Sequence, residues 1–84
     1  MTRVWLTGAP ITAERDVAGT PLRFTSAGRT HTVQRVANQW RVDVNWWQLR
    51  LWRDYFKLIT DTGLLVIVYH DLVEDAWYVQ RLYD

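Results

Sequence analysis

The chain has 84 residues, 49% of them apolar, a formal net charge of +1 and no cysteine. That is one small domain, with disulfide staples, thiolate nucleophiles, cysteine zinc sites and iron–sulfur ligation all excluded. Six Trp, four Tyr and two Phe take the place of staples, since each buried ring removes about 150–250 Å² from water, worth about 4–6 kcal/mol.

The first apolar stretch, Val4-Trp5-Leu6, is far short of a signal-peptide core. The longest apolar run, Leu64 to Tyr69, has six residues, too few to span a membrane as a helix. The expectation is therefore no membrane association and a cytoplasmic location. Residues 1–42 carry +4 and residues 43–84 carry −3, a split that points to ion pairs between the two halves. Nine of the ten basic residues are Arg, which suits bidentate pairing and stacking on rings better than lysine does.

Residues 1–8 read as a flexible or edge-pairing arm of a single domain over 1–84. Ala18-Gly19-Thr20-Pro21 is a turn, and Leu22, Phe24 and Ser26 then alternate with Arg23 and Thr25 as a half-buried strand. Residues 10–26 thus form a hairpin closed at Gly19, and Ala27-Gly28 is the next turn. Arg29 to Val44 is a long strand candidate with a conflict of phase. His31 and Val33 have one parity, whereas Val36, Asn38, Trp40, Val42 and Val44 have the other. One slip of register flips every side chain, so a bulge near Gln34-Arg35, or a loop around Ala37-Asn38, is required.

Asn45 to Trp52 reads as an irregular aromatic connection, too short and too poorly capped for a stable helix. Arg53 to Thr60, Leu64 to His70 and Ala76 to Tyr83 are three further strands, separated by the Asp61-Thr62-Gly63 turn and an acidic turn over Asp71–Asp75. Trp77, Val79 and Tyr83 share one face of the last strand, with Tyr78, Gln80 and Leu82 on the other. The sum is an all-β fold: an antiparallel meander of about six strands, as a strongly bent sheet or small barrel, because both faces of the late strands are apolar. Phe24, Val33, Val36, Trp40, Phe56, Val66, Val68, Trp77 and Val79 are the expected core.

No catalytic constellation emerges. The one serine, Ser26, has no strained elbow around it, and Asp43 and Asp54 are a carboxylate pair only by elimination. His70, Asp71, Glu74 and Asp75 match no metal-ligand spacing, so no enzyme activity, metal or cofactor is expected. His31 reads as a structural histidine. Within residues 41–55, Arg41, Trp46, Trp47, Arg50, Trp52, Arg53 and Tyr55 interleave arginine with rings. Such a mixture serves a protein interface or a single-strand platform, and the net charge of +1 is weak for the second. Trp46, Trp47, Arg50, Arg53 and Tyr55 are the candidate partner-binding residues. At most one of Trp46 and Trp47 can be fully buried, since neighbours in an extended chain point opposite ways. Asp54, if turned inward, needs an arginine from residues 23–41.

Pro21-Leu22-Arg23-Phe24, Gly28-Arg29, Val33, Val36, Trp40-Arg41, Trp46-Trp47, Arg53-Asp54-Tyr55-Phe56, Gly63-Leu64 and the closing Trp77 to Tyr83-Asp84 together resemble a bacterial family of small domains of unknown function. Members occur alone or as the C-terminal module of ImuB-type homologues of Y-family DNA polymerases. The resemblance covers residues 9–84 and implies a non-catalytic module with a protein partner in a DNA-damage-tolerance (translesion synthesis) complex. Single-stranded nucleic acid is the alternative partner. The resemblance supplies no functional residues, and neither partner identity nor oligomeric state follows from the sequence.

Overall fold

A computed structural model describes residues 2–47 and 49–83. They form six strands and no helix: β1 Thr2–Arg15, β2 Pro21–Ser26, β3 Arg29–Trp46, β4 Leu49–Thr60, β5 Leu65–Asp71 and β6 Ala76–Tyr83. Each strand pairs antiparallel with the next, and β1 also pairs with β6, which closes the meander into a ring. Closure leaves no wholly unpaired strand and buries the inner face of β5, Val66, Val68 and His70; on its outer face Tyr69 is buried while Leu65 and Ile67 are half-buried.

The turns follow from their residues. Asp16 accepts from the Ala18 and Thr20 amides at 2.9 and 3.0 Å and so fixes the first hairpin, with Gly19 at φ 86°. Ala27 and Gly28 both have positive φ, 52° and 77°, giving the two-residue primed turn whose twist suits a hairpin. At the β4–β5 turn Gly63 has φ 87°, and the buried Thr60 hydroxyl accepts from the Leu64 amide at 3.1 Å.

The ring is uneven because β2 is short. It pairs with Thr12–Arg15 of β1 and with Arg29–Thr32 of β3 only. The β3–β4 ladder runs much further, from Val33–Thr60 to Trp46–Leu49. The β4–β5 ladder ends at Arg53–Asp71, so Asp43–Trp46 and Leu49–Trp52 continue as a two-stranded arm. The longest dimension of the molecule is 42 Å against 31 and 23 Å for the others.

Inside the ring Phe24, Phe56, Leu58, Val66, Val68, Trp77 and Val79 form the buried cluster, with Ile11, Ala13, Val33, Val36 and Leu82 packed around it. Eight of the nine expected core residues are in this assembly; Trp40 is not, at 37% exposure. The cause is a second bulge. One irregularity falls at Gln34, as the parity conflict demands, and another at Ala37. The first brings Val36 inward opposite Leu58. The second reverses the phase again, so that Trp40, Val42 and Val44 lie on the outer face with Tyr55, their partner's neighbour in the ladder. A third bulge, at Gln80 of β6, likewise turns Leu82 into the core and away from the face expected for it.

The stretch from Asn45 to Trp52 is a hairpin, not an irregular connection, with Trp46 facing Leu49 across the tip. At the other end of the chain Thr2–Val4 pair with Arg81–Tyr83, so the backbone of the N-terminal arm is an edge-pairing one. No helix among the described residues is long and apolar enough to cross a membrane.

Candidate functional site

The outer face carries a continuous aromatic row. Trp40 of β3, Tyr55 of β4, Tyr69 of β5 and Tyr78 of β6 are successive partners in the ladder. Their ring centroids are 5.3, 5.1 and 5.1 Å apart, within the favourable range for offset rings. The row is mostly sealed: Tyr69 is 2% and Tyr55 8% exposed. Above it the Arg53 guanidinium lies 4.5 Å from the Tyr69 centroid and donates to the Tyr55 hydroxyl at 3.3 Å. The Gly8 backbone closes the row from the β1 side, so tightly that a Cβ there would lie 2.6 Å from the Tyr69 hydroxyl oxygen. Burial pushes the Tyr69 hydroxyl above its usual pKa.

The same face continues along the arm without a seal. Trp40–Tyr55, Val42–Arg53, Val44–Leu51 and Trp46–Leu49 are the paired positions on it. Trp46 is 73% exposed, and Val44 and Leu49 are exposed beside it. Trp47, at the tip, is 82% exposed.

The opposite face of the arm is polar and internally paired. Arg41 Nε and Nη2 donate to the two oxygens of Asp54 at 2.6 and 3.1 Å, and this hydrogen bond to Asp54 raises the Arg41 pKa. Arg50 lies 3.3 Å from Asp43 and 5.2 Å from the Trp52 ring. Arg53, on the outer face, stands 4.0 Å from Asp71. The arginine expected for Asp54 from residues 23–41 is therefore Arg41.

These positions redistribute the five candidate residues. Trp46 and Trp47 are both outside, and neither enters the core, because the segment is a hairpin projecting beyond the ring. Arg50 faces away from Trp46, on the polar side. Arg53 and Tyr55 lie within the sealed aromatic row, so Tyr55 is a packing residue rather than an exposed anchor. The arm's apolar face brings in Trp40, Val42, Val44, Leu49 and Leu51 instead. Their alternation with Arg41, Asp43, Asn45 and Arg50 is visible in the sequence once the hairpin register is known.

A second, polar cluster sits at the β5–β6 turn. His70, packed flat on Trp77 with centroids 4.5 Å apart, donates from Nε2 to Asp75 at 2.7 Å. The Arg15 guanidinium is 3.8 Å from the same carboxylate oxygen. The His70 hydrogen bond holds the Asp75 carboxyl below its usual pKa. A shallow groove of about 350 Å³ beside it is lined by Ile11, Ala13, Asp75, Trp77 and Tyr78 among others. No group of three or more metal-ligating side chains occurs among the described residues. His31 stacks on Phe24 with centroids 5.0 Å apart, a packing role. Comparisons with protein-family models, with curated proteins and with solved structures returned no match for the chain.

Proposed function

We propose that this domain is a non-catalytic protein-interaction module whose contact surface is the apolar face of the β3–β4 arm. The observation that carries the reading is the exposure of Trp46 at the end of a row of apolar pairs, on an arm that has no packing duty inside the ring. Exposed Trp beside aliphatic residues is the composition of an interface anchor. The sequence resemblance suggests the partner class, a protein of a DNA-damage-tolerance complex; the cytoplasmic setting rests separately on the lack of cysteine and of an export-signal core in the sequence.

Single-stranded nucleic acid is the weaker reading. Arg50 in the arm and Arg41 and Arg53 at its root each stand within 4.0 Å of a carboxylate, so little of their charge is free to release counterions from phosphates. An enzyme is disfavoured by the lack of a nucleophile–base arrangement in the sequence.

The test titrates purified subunits of a translesion synthesis complex from the same organism, and separately a labelled oligothymidylate, against the wild-type domain and a Trp46→Ala, Leu49→Ala double variant. One protein subunit binds the wild type and loses affinity at least tenfold for the variant, whose melting temperature is unchanged. Binding of the oligonucleotide alone, with a steep salt dependence, would replace this reading with the nucleic-acid one.

A further inference from the structure

We propose that two copies of this chain join edge to edge along β3, antiparallel, with Val42 on the two-fold axis. This rests on the edge of β3, not on the apolar face, and is independent of the reading above.

β2 covers β3 only at Arg29–Thr32, and β4 occupies the other edge from Val33 to Trp46. The backbone of β3 beyond Thr32 therefore presents an edge that pairs with no strand among the described residues on that side. Free edges are normally blunted by charged side chains, proline or bulges. Asn-Gln-Trp-Arg-Val-Asp-Val-Asn-Trp, residues 38–46, contains no Lys and no Pro, and its ladder with β4 is unbroken from Asn38–Lys57 to Trp46–Leu49. Its Gln39 amide is met by the Asn38 side chain at 2.8 Å, and its two charges, Arg41 and Asp43, have opposite sign, so they repel a strand of mismatched register and attract a matched one. It is a nine-residue edge whose midpoint is Val42.

The side chains select a second copy and one register. In antiparallel pairing centred on Val42, Arg41 faces Asp43 of the other copy, and Asp43 faces its Arg41. On the opposite side of the sheet Trp40 faces Val44, an aromatic–β-branched pair, and Val42 faces itself. Both cross-strand pair types stabilise antiparallel ladders. A shift of two residues one way sets Arg41 against Arg41, and the other way sets Asp43 against Asp43. A shift of one places the apolar face of one copy over the polar face of the other. Parallel pairing aligns like charges. The Val42-centred register alone combines full overlap of the nine-residue edge, two opposite-charge contacts and matched faces. It is isologous, as a two-fold dimer requires, and lays the arm strand Asp43–Trp46 of each copy along Asn38–Arg41 of the other, where β4 and β5 already back β3, so that each arm joins a multi-stranded sheet with the independent stability a lone hairpin lacks.

The experiment uses the full chain. By sedimentation equilibrium the wild type is a dimer, and Arg41→Asp and Asp43→Arg, each alone, are folded monomers by circular dichroism. Mixed together they form a dimer, since each copy then offers the charge the other needs; a mere loss of the Arg41–Asp54 or Asp43–Arg50 contact within a chain gives no such rescue. Because the chain has no cysteine, Val42→Cys under diamide gives a clean second readout. Directly opposed Cα atoms stand about 4.5–5.5 Å apart, within disulfide reach, so the covalent dimer forms rapidly. Val44→Cys places the two thiols four residues out of register, about 14 Å apart, and stays monomeric. A wild type that remains monomeric at the highest soluble concentration overturns the proposal. So do single charge reversals that still dimerise, a mixture that does not, or Val44→Cys cross-linking as fast as Val42→Cys.

Discussion

Arg41 and Asp54 face each other directly across the β3–β4 ladder and meet at two points, 2.6 and 3.1 Å. The pair sits where the ring ends and the arm begins, and so ties β3 to β4 at the root of the arm. A guanidinium fork fixes geometry that an ammonium does not. Arg41→Lys should therefore keep the charge but loosen the arm: amide exchange at Asp43–Trp46 speeds up while the melting temperature falls only slightly. Unchanged exchange at those positions would show that the fork has no orienting role.

Gly8 has φ 79°, and a side chain there meets the Tyr69 hydroxyl and Tyr78 Cβ, at 2.6 and 2.9 Å. Gly8→Ala combines an unfavourable backbone region with overpacking, about 1–3 kcal/mol from either source. In the Gly8→Ala, Tyr69→Phe double variant the hydroxyl clash is gone, so part of the loss is recovered. Equal chemical-denaturation midpoints for Gly8→Ala and wild type would contradict the close approach.

Trp77 packs on Phe56 at 5.7 Å between centroids and on His70 at 4.5 Å. Trp77→Ala removes the largest side chain of the buried cluster, at a cost of about 3–5 kcal/mol. For a domain of this size each kcal/mol moves the melting temperature by about 4–8 °C, so the variant melts well below the wild type, if it folds at all. An unchanged melting curve would mean the cluster lies elsewhere.

The Asp75 carboxyl is held below its usual value of 3.8 by the hydrogen bond from His70. A carboxyl lowered on folding adds stability that is complete above the unfolded pKa and disappears as pH falls through the folded one. Asp75→Asn is accordingly less stable than wild type above about pH 5, and the two melting temperatures converge as pH drops below 3.8. Because Asp75 is exposed the difference is small. A gap that persists unchanged to low pH would place its origin outside this carboxylate.

Trp46→Ala and Trp47→Ala, made separately, should each leave stability within about 0.5 kcal/mol of wild type, since both rings lie outside the ring of strands. A large loss in either would mean that the arm packs against something in the isolated chain.

Strand order, the turns at Gly19, Gly28 and Gly63, and eight of nine core positions were legible from alternation and turn chemistry. The conflict of parity between Val33 and Val36 correctly demanded a bulge. What alternation could not reveal is that a second bulge at Ala37 cancels the first, because both faces beyond it, Trp40-Val42-Val44 and Arg41-Asp43, look plausible as an outer surface until the register is fixed. The sealed aromatic row was hidden for a related reason. Tyr55, Tyr69 and Tyr78 are far apart in sequence, and only the ladder aligns them. Trp46-Trp47 looked like a break because two bulky residues at a hairpin tip lack the usual Gly or Asn signal.

Closure of the ring depends on its shortest member. β2 holds to β3 through four residue pairs, Arg23–Thr32 to Ser26–Arg29, and contributes Phe24 and Pro21 as its buried side chains. Separating β3 from β4 would break a ladder several times longer. Partial opening of the native state therefore starts at β2, as a seam that parts while the β3–β6 sheet stays intact, exposing Phe24 and the buried cluster from that side. The barrel is thus less a uniform cylinder than a curled sheet fastened by a single clasp, with Phe24 as its catch.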